Sequence, residues 1–293
     1  MKRSSLDHLR CPNCHFVLEL EILSESDEVA EGFLSCSRCY RKYPIILGIP
    51  ILWPELESYL SNRAQLGGYL MLQAKHDGTK SFVKNSLRQI KQKNSDITQI
   101  ESNWVKTYKN SLRSRFYQQI KRTLQKIPKF EMVLEHGCSI GYITNFLAKK
   151  HEIVFGIDQS FPAILEARKN QARNVDFFVA DSLKSPFEQK KFGLVVGLNL
   201  LELTEPTDFL DVISSQVHGM IVISDPYDYE RGHNSVKNKL DPIALRTELE
   251  KRGFTLVYNT KKPSFVPWRL NINSRLSLHY KVDLVVGFRQ VCG

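Results

Sequence analysis

"VLEHGCSIG", residues 133–141, sits near the middle of a chain of 293 residues. An apolar run ends in an acid, Glu135, and glycines follow at 137 and 141 with Ser139 between them. This order reads as a strand that stops abruptly, a tight turn, and a helix beginning at about Gly141. Such a turn presents bare backbone N–H groups and lets a ligand approach the chain closely. An ordinary strand-to-helix connection has the same form, so the surrounding sequence must decide.

From about residue 131 the pattern alternates. Strand-like runs are "EMVLEHG", "EIVFGID", "VDFFVAD", "FGLVVGLNLLEL", "GMIVISD", "FTLVYNT" and "VDLVVGFRQ". Helical patterns fall between several of them, as in "YITNFLAKK", "FPAILEARKNQA", "PTDFLDVISSQ" and "PIALRTELEKRG". Strands alternating with helices of about ten residues predict βαβ units and a mostly parallel sheet. The expected fold is therefore α/β, with a seven-stranded Rossmann-like sheet. The last two strands lack a helix between them, which predicts an antiparallel hairpin at the end.

In an open α/β sheet, ligands lie beyond the carboxyl ends of the strands. Here those ends form a set: Glu135 before the turn, Asp158 after the second strand, Asp181-Ser182 after the third, and Asn199 after the fourth. Asp158 stands 17 residues after Gly141, where a carboxylate can take both hydroxyls of a ribose. A lone aspartate at such a place is often only a helix cap. Four polar ends in register with a glycine turn point to a ligand.

Upstream, the charge is uneven. The chain carries a net +10, yet residues 61–130 alone hold fifteen Lys and Arg against three acids (Asp77, Asp96, Glu101), a balance of +12. "SFVKNSLRQIKQ" and "SLRSRFYQQIKRTLQKI" read as amphipathic helices, with Phe82, Val83, Leu87 and Ile90 on one face of the first. The second aligns Leu112, Phe116, Ile120, Leu124 and Ile127, leaving its cations on the opposite face. Two readings stay open: a solvated helical connector, or a footprint for a polyanion such as RNA. Trp104, Tyr108 and Tyr117 are interleaved with the cations and suit either base stacking or a core.

At the start, Cys11-Pro-Asn-Cys14 and Cys36-Ser-Arg-Cys39 are separated by 21 residues. Two CxxC knuckles can close a tetrahedral zinc site, and four thiolates leave no open position for catalysis. About 45 residues build little core alone, so metal binding would supply much of their folding free energy. Cys138 and Cys292 would remain free thiols. Paired knuckles imply a reducing compartment, and no apolar run is long enough to cross a bilayer. The N-terminus has basic residues but no hydrophobic stretch of the secretory kind. The expected location is the cytoplasm, without a membrane.

The first module resembles the zinc ribbon of the small activator subunit that partners tRNA and protein methyltransferases. That family carries CPxC near its start and a YPIxxGIPxL tail, matched here by Tyr43-Pro44-Ile45 and Gly48-Ile49-Pro50. The resemblance covers residues 8 to about 55 and implies a supporting module with no chemistry of its own. Because it is fused, no obligate protein partner is implied. The expected organisation is a zinc ribbon over 1–55, a basic helical linker over 56–130, and a third domain over 131–293.

That third domain resembles the class I S-adenosylmethionine-dependent methyltransferases through "VLEHGCSIG", "GIDQS", "VADSLKSPF" and "VVGLNLLELT". The resemblance implies that Glu135, Gly137, Ser139 and Gly141 hold the methionine part and Asp158 the ribose. Gln159 would flank the adenine, Asp181 with Ser182 would meet its amino group, and Asn199 would complete the cofactor site. Serine at 139 departs from the usual middle glycine. For the acceptor, "SDPYDYERG" (224–232) offers Asp225 and Tyr227 as catalytic candidates and Tyr229 as a binding one. "VPWRLNINSRLSLHY" (266–280) adds Trp268, Arg275 and Tyr280 on the substrate side. A small molecule, methylated on N or O, is the leading acceptor. The alternatives are an rRNA or tRNA base, or a non-catalytic adaptor that only binds S-adenosylmethionine.

Overall fold

The computed structural model describes residues 1–90, 95–230 and 236–289, so Cys292 lies outside the described residues. Chain contacts group the described residues into two compact units. One comprises Met1–Val105, Ile157–Asn170 and Asp176–Glu188; the other comprises Lys106–Gly156, Gln171–Val175 and Gln189–Gly293.

The first unit opens with strands β1 (Glu19–Glu25), β2 (Val29–Ser35), β3 (Lys42–Ile46) and β4 (Ile49–Leu52). Each pairs antiparallel with the next. The β3–β4 connection is the two-residue loop Leu47-Gly48, with φ of 54° and 71°. Two left-handed residues in succession match the right-handed twist of a hairpin, which is why glycine serves at 48. Helices α1 (Leu56–Leu60), α2 (Ala64–Gln73), α3 (Asp77–Gln89) and the start of α4 (Thr98–Asn110) follow.

The second unit is entered through α4 and α5 (Arg115–Lys126). Helix α5 is strongly amphipathic: Phe116, Tyr117, Ile120, Thr123 and Leu124 are buried, while Arg113, Arg115, Arg122 and Lys126 in and around it are exposed. Then come β5 (Met132–His136), α6 (Tyr142–Leu147) and β6 (Ile153–Asp158), whose last two residues already belong to the first unit, as do α7 (Phe161–Arg168) and β7 (Val175–Ala180) from Asp176 on. After them run β8 (Phe192–Leu198), α8 (Pro206–Gln216), β9 (Val217–Asp225) and α9 (Pro242–Lys251). The chain closes with β10 (Phe254–Leu256), β11 (Val266–Asn271) and β12 (Ser277–Arg289). Within this unit the strand order is β5-β8-β9-β12-β10, with β11 on β12. The first two pairings are parallel and those of β12 are antiparallel. Strands β5 and β8 are buried along almost their whole length, as expected for parallel strands covered on both faces.

All seven strands expected after residue 131 form, as β5 to β10 and β12. The expected count of seven falls short, however, because twelve strands are described. In the first unit, β4 runs parallel to β7, with Ile51 opposite Val179 and Leu52 opposite Ala180. Every residue of β4 is buried. The apolar "IPIL" therefore lies between β3 and β7 and is paired on both sides. The segment expected between the last two strands is itself the β11–β12 hairpin.

Candidate functional site

The sulfurs of Cys11, Cys14, Cys36 and Cys39 all lie within 4.8 Å of one another. Cys11 and Cys39 are 3.5 Å apart and Cys14 and Cys36 are 3.4 Å apart. Zn–S bonds of about 2.3 Å place tetrahedral sulfurs about 3.8 Å from each other, so the cluster has the size of a zinc site. The knuckles close alike: His15 N bonds Cys11 O at 2.8 Å and Tyr40 N bonds Cys36 O at 2.9 Å. Both His15 and Tyr40 sit in the left-handed region. Buried Tyr43 places its hydroxyl 3.0 Å from Cys11 Sγ. Burial pushes the Cys11 thiol up to about 12. For Cys39, burial acts in the same direction, but the backbone N–H of Arg41 and the neighbouring sulfurs prevail and bring it down to about 7. An all-thiol set with nearby donors fits a structural ion.

In the first unit, β6 ends in Asp158, whose Oδ1 accepts from Ser160 N at 2.8 Å. Asp181 follows β7, and its Oδ1 accepts from Leu183 N at 2.9 Å, capping the short turn that contains Ser182. The carbonyl of Gln159 accepts from the hydroxyl of Tyr59 at 2.9 Å, and that hydroxyl accepts in turn from Phe161 N at 3.3 Å. Tyr59 is wholly buried on α1. Its ring lies 4.5 Å from the guanidinium of Arg63. Arg63 donates through Nε and Nη2 to Oε1 of Glu101, at 3.1 and 2.8 Å. Oε2 of Glu101 is buried with no partner among the described residues. Burial, reinforced by the charges of Asp158 and Asp96 against the pull of Arg63, raises this carboxyl above its ordinary value. Sequence reasoning misses Tyr59, Arg63 and Glu101. The one available signal was that Glu101 is a rare acid in a basic segment.

In the second unit, Glu135 is buried at the end of β5 and its Oε2 accepts from Thr144 Oγ1. The turn beyond it is left-handed three times, at Gly137 (φ 62°), Ser139 (φ 48°) and Gly141 (φ 68°). The left-handed backbone at Gly137 favours glycine, and a Cβ there would come 2.5 Å from Leu200 Cδ2, which would have to shift. Ser139 holds with a side chain the conformation that glycine takes freely, which is stored strain. Asn199 is also left-handed, at φ 57°. Its backbone N bonds Ser224 O at 2.6 Å and its Oδ1 accepts from Ser224 Oγ at 2.9 Å.

Asp225 is buried at the end of β9; it accepts from Leu201 N at 2.8 Å and Tyr227 N at 2.7 Å. Burial pushes its carboxyl up to about 7. The Tyr227 hydroxyl donates to Asp283 at 3.0 Å, and Arg246 pairs with the same carboxylate at 2.6 Å. Tyr229 ties both backbone groups of Leu240 through its hydroxyl, at 2.9 and 3.0 Å. Trp268 and Tyr280 face each other across β11 and β12, with ring centroids 5.8 Å apart. Arg275 stands apart from them, exposed in the turn between those strands. Tyr108, Phe116 and Tyr117 join Trp268. For Tyr108 and Tyr117, interleaving with cations in the sequence suits either base stacking or a core.

Residues 133–218 match a protein-family profile described as a methyltransferase domain. The chain carries a methyltransferase domain. The match begins in β5 and runs through the glycine turn to the start of β9. One chain of the Haloferax volcanii complex between the Trm112 methyltransferase activator and a candidate methyltransferase is similar in fold. It is 16% identical, covers 65% of this chain and 98% of its own, and has a TM-score of 0.52. A magnesium protoporphyrin IX methyltransferase from Synechocystis PCC 6803 is 14% identical over 80% of this chain and 95% of its own, with a TM-score of 0.43. No curated protein matches the chain by sequence. Among the described residues, no helix is long and apolar enough to cross a membrane.

Proposed function

We propose that the methyltransferase domain uses S-adenosylmethionine and passes its methyl to N or O of a small acceptor. The observation that carries this reading is the thrice left-handed turn 137–141 behind buried Glu135. Such a turn exposes backbone N–H groups to a ligand that lies against the chain. The acids at 158 and 181 supply the acceptors that a ribose and an adenine amino group require.

When bound, S-adenosylmethionine would supply an already activated sulfonium methyl group. The chain's own residues bind and orient. Glu135 and the 137–141 turn, Ser139 included, hold the amino-acid end. Asp158 takes the ribose, Gln159 flanks the adenine, and Asp181 with Ser182 meets its edge. Asn199 closes the site at the end of β8. Asp225, with two backbone N–H bonds, and Tyr227, bonded to Asp283, hold the loops after β8 and β9 in place. Tyr229, Trp268, Tyr280 and Arg275 belong to the acceptor side. Zinc on Cys11, Cys14, Cys36 and Cys39 holds the ribbon and takes no part in transfer. With most catalysis supplied by positioning, an exposed base is dispensable when the acceptor is a neutral amine.

Calorimetric titration with S-adenosylmethionine and its demethylated product tests the reading. Asp158→Ala should weaken both by about 1.5–3 kcal/mol, roughly 10- to 150-fold, through lost charge-assisted bonds. Equal affinity in variant and parent would remove Asp158 from the site. No binding by the parent would end the cofactor assignment.

A further inference from the structure

Residues 102–130 hold eight Lys and Arg and no Asp or Glu. Exposed helix faces ordinarily interleave both signs, because like charges one turn apart repel. Here Arg122 and Lys126 stand at i,i+4 on α5, a helix without an acid. The fold collects the cations of α5 on one side. Phe116, Tyr117, Ile120, Thr123 and Leu124 are buried, while Arg115, Gln118, Arg122, Gln125 and Lys126 are exposed. Helical geometry puts these five within an arc of about 100° and in a row about 16 Å long, its three cations about 10 and 6 Å apart.

The helix is fixed beside the candidate site. Lys121 bonds the Tyr142 hydroxyl at 2.5 Å and lies 3.8 Å from its ring centroid, and Tyr142 directly follows Gly141 of the glycine turn. At the far end, exposed Lys150 bonds the carbonyls of Gln125 at 3.0 Å and of Ile127, adding a cation there. Acids return only past the helix, where Glu152 pairs with Lys129 at 2.8 Å. The composition of the row decides between partners. A helix lying on a membrane puts apolar side chains into the lipid beside its cations, and a protein interface forms round an apolar or aromatic centre. Among the described residues, none of the large hydrophobics between 106 and 130 is exposed. Cations with amides between them fit a chain of phosphates whose bases are unpaired. The cations meet phosphate, and the Gln118 and Gln125 amides both donate and accept towards open base edges.

We propose that the exposed face of α5 is a docking surface for single-stranded RNA, with Arg115, Arg122 and Lys126 on its phosphates. The inference goes beyond the methyl transfer proposed above and does not depend on it: it assigns where a polyanion lies, not which atom is methylated. Binding of this kind releases counterions and therefore weakens steeply with salt. Three phosphate contacts on a single strand predict an affinity loss of about 20-fold between about 50 and 200 mM salt.

Fluorescence anisotropy of a labelled, mixed-sequence RNA of about 20 nucleotides, titrated with the full chain, tests this. The triple variant Arg115→Gln, Arg122→Gln, Lys126→Gln should bind at least about tenfold more weakly at about 50 mM salt and lose most of the salt dependence. A charge-matched control, Lys75→Gln, Lys84→Gln, Arg88→Gln, removes three exposed cations elsewhere and should bind like the parent. Equal losses in the two variants would reduce the effect to net charge and overturn the proposal. A parent that fails to bind RNA, or binds it without regard to salt, overturns it too. So does equally tight binding of duplex DNA or of phosphatidylserine vesicles. Urea unfolding shows whether the triple variant is folded; if it is not, the salt dependence of the parent and the two competitors still decide. Labelled methyl entering the bound RNA would refute the small-acceptor reading and leave the docking surface standing. RNA binding without any binding of S-adenosylhomocysteine would end the cofactor reading alone.

Discussion

Tyr59→Phe removes one oxygen atom and keeps a ring of the same shape against Arg63. The lost hydroxyl donates to Gln159 O at 2.9 Å and accepts from Phe161 N at 3.3 Å, both in a buried setting. A buried group left without its partner costs about 1–3 kcal/mol, and the longer bond contributes the smaller share. The expected loss is therefore about 2 kcal/mol, roughly a 30-fold shift in the folding equilibrium. It falls on the loop carrying Asp158 and Gln159, so affinity for S-adenosylhomocysteine should fall as well. Urea unfolding of parent and variant measures the first quantity, with an unchanged slope showing that only stability moved. Calorimetry measures the second. Stability within about 0.5 kcal/mol of the parent, a change typical of surface substitutions, would refute the claim that α1 holds this loop.

The four sulfurs should hold one zinc per chain, measured by metal analysis after dialysis, and Cys14→Ser should lose it. Since β4 pairs with β7, the metal-free protein should also lose hydrogen-exchange protection at 176–180, whereas a free-standing ribbon would leave those amides unchanged. Gly137→Ala should cost about 1–2 kcal/mol from its left-handed backbone alone, plus the displacement of Leu200; calorimetry should find weaker binding of S-adenosylmethionine. His136 is wholly buried, bonds Gln216 at 2.9 Å, and is pushed by burial down to about 4. The folded state therefore binds its proton less readily than the unfolded chain. The resulting stability is complete above about pH 6.5 and is lost as pH falls towards 4, by roughly 3 kcal/mol. Urea titrations at pH 7 and 4.5 should show this loss in the parent and little of it in His136→Gln.

The periodicity after residue 131 was enough to identify the α/β class, because strands buried on both faces must be continuous apolar runs and the helices between them must be amphipathic. The knuckle spacing was enough to mark four thiols that lie together, since CxxC brings two sulfurs to one point by local geometry alone. Glu135 and the glycine turn were legible for the same reason: left-handed backbone and abrupt strand ends are written in neighbouring residues. Other features depended on partners distant in the chain. That "IPIL" pairs with β7 follows from an unsatisfied sheet edge some 130 residues away, and apolar content alone cannot name the partner of an edge. Tyr59 and Glu101 acquired their places beside Asp158 through helix packing. The tertiary structure likewise gave Asp225 and Tyr227 their backbone and Asp283 partners, because a short acidic and aromatic motif has the same spelling whether it faces a ligand or a loop. That Tyr108 and Tyr117 lie against Trp268 of β11 was likewise set by the fold and not by their interleaving with cations. Helical spacing specifies which residues share a face; what that face meets is set by the rest of the fold.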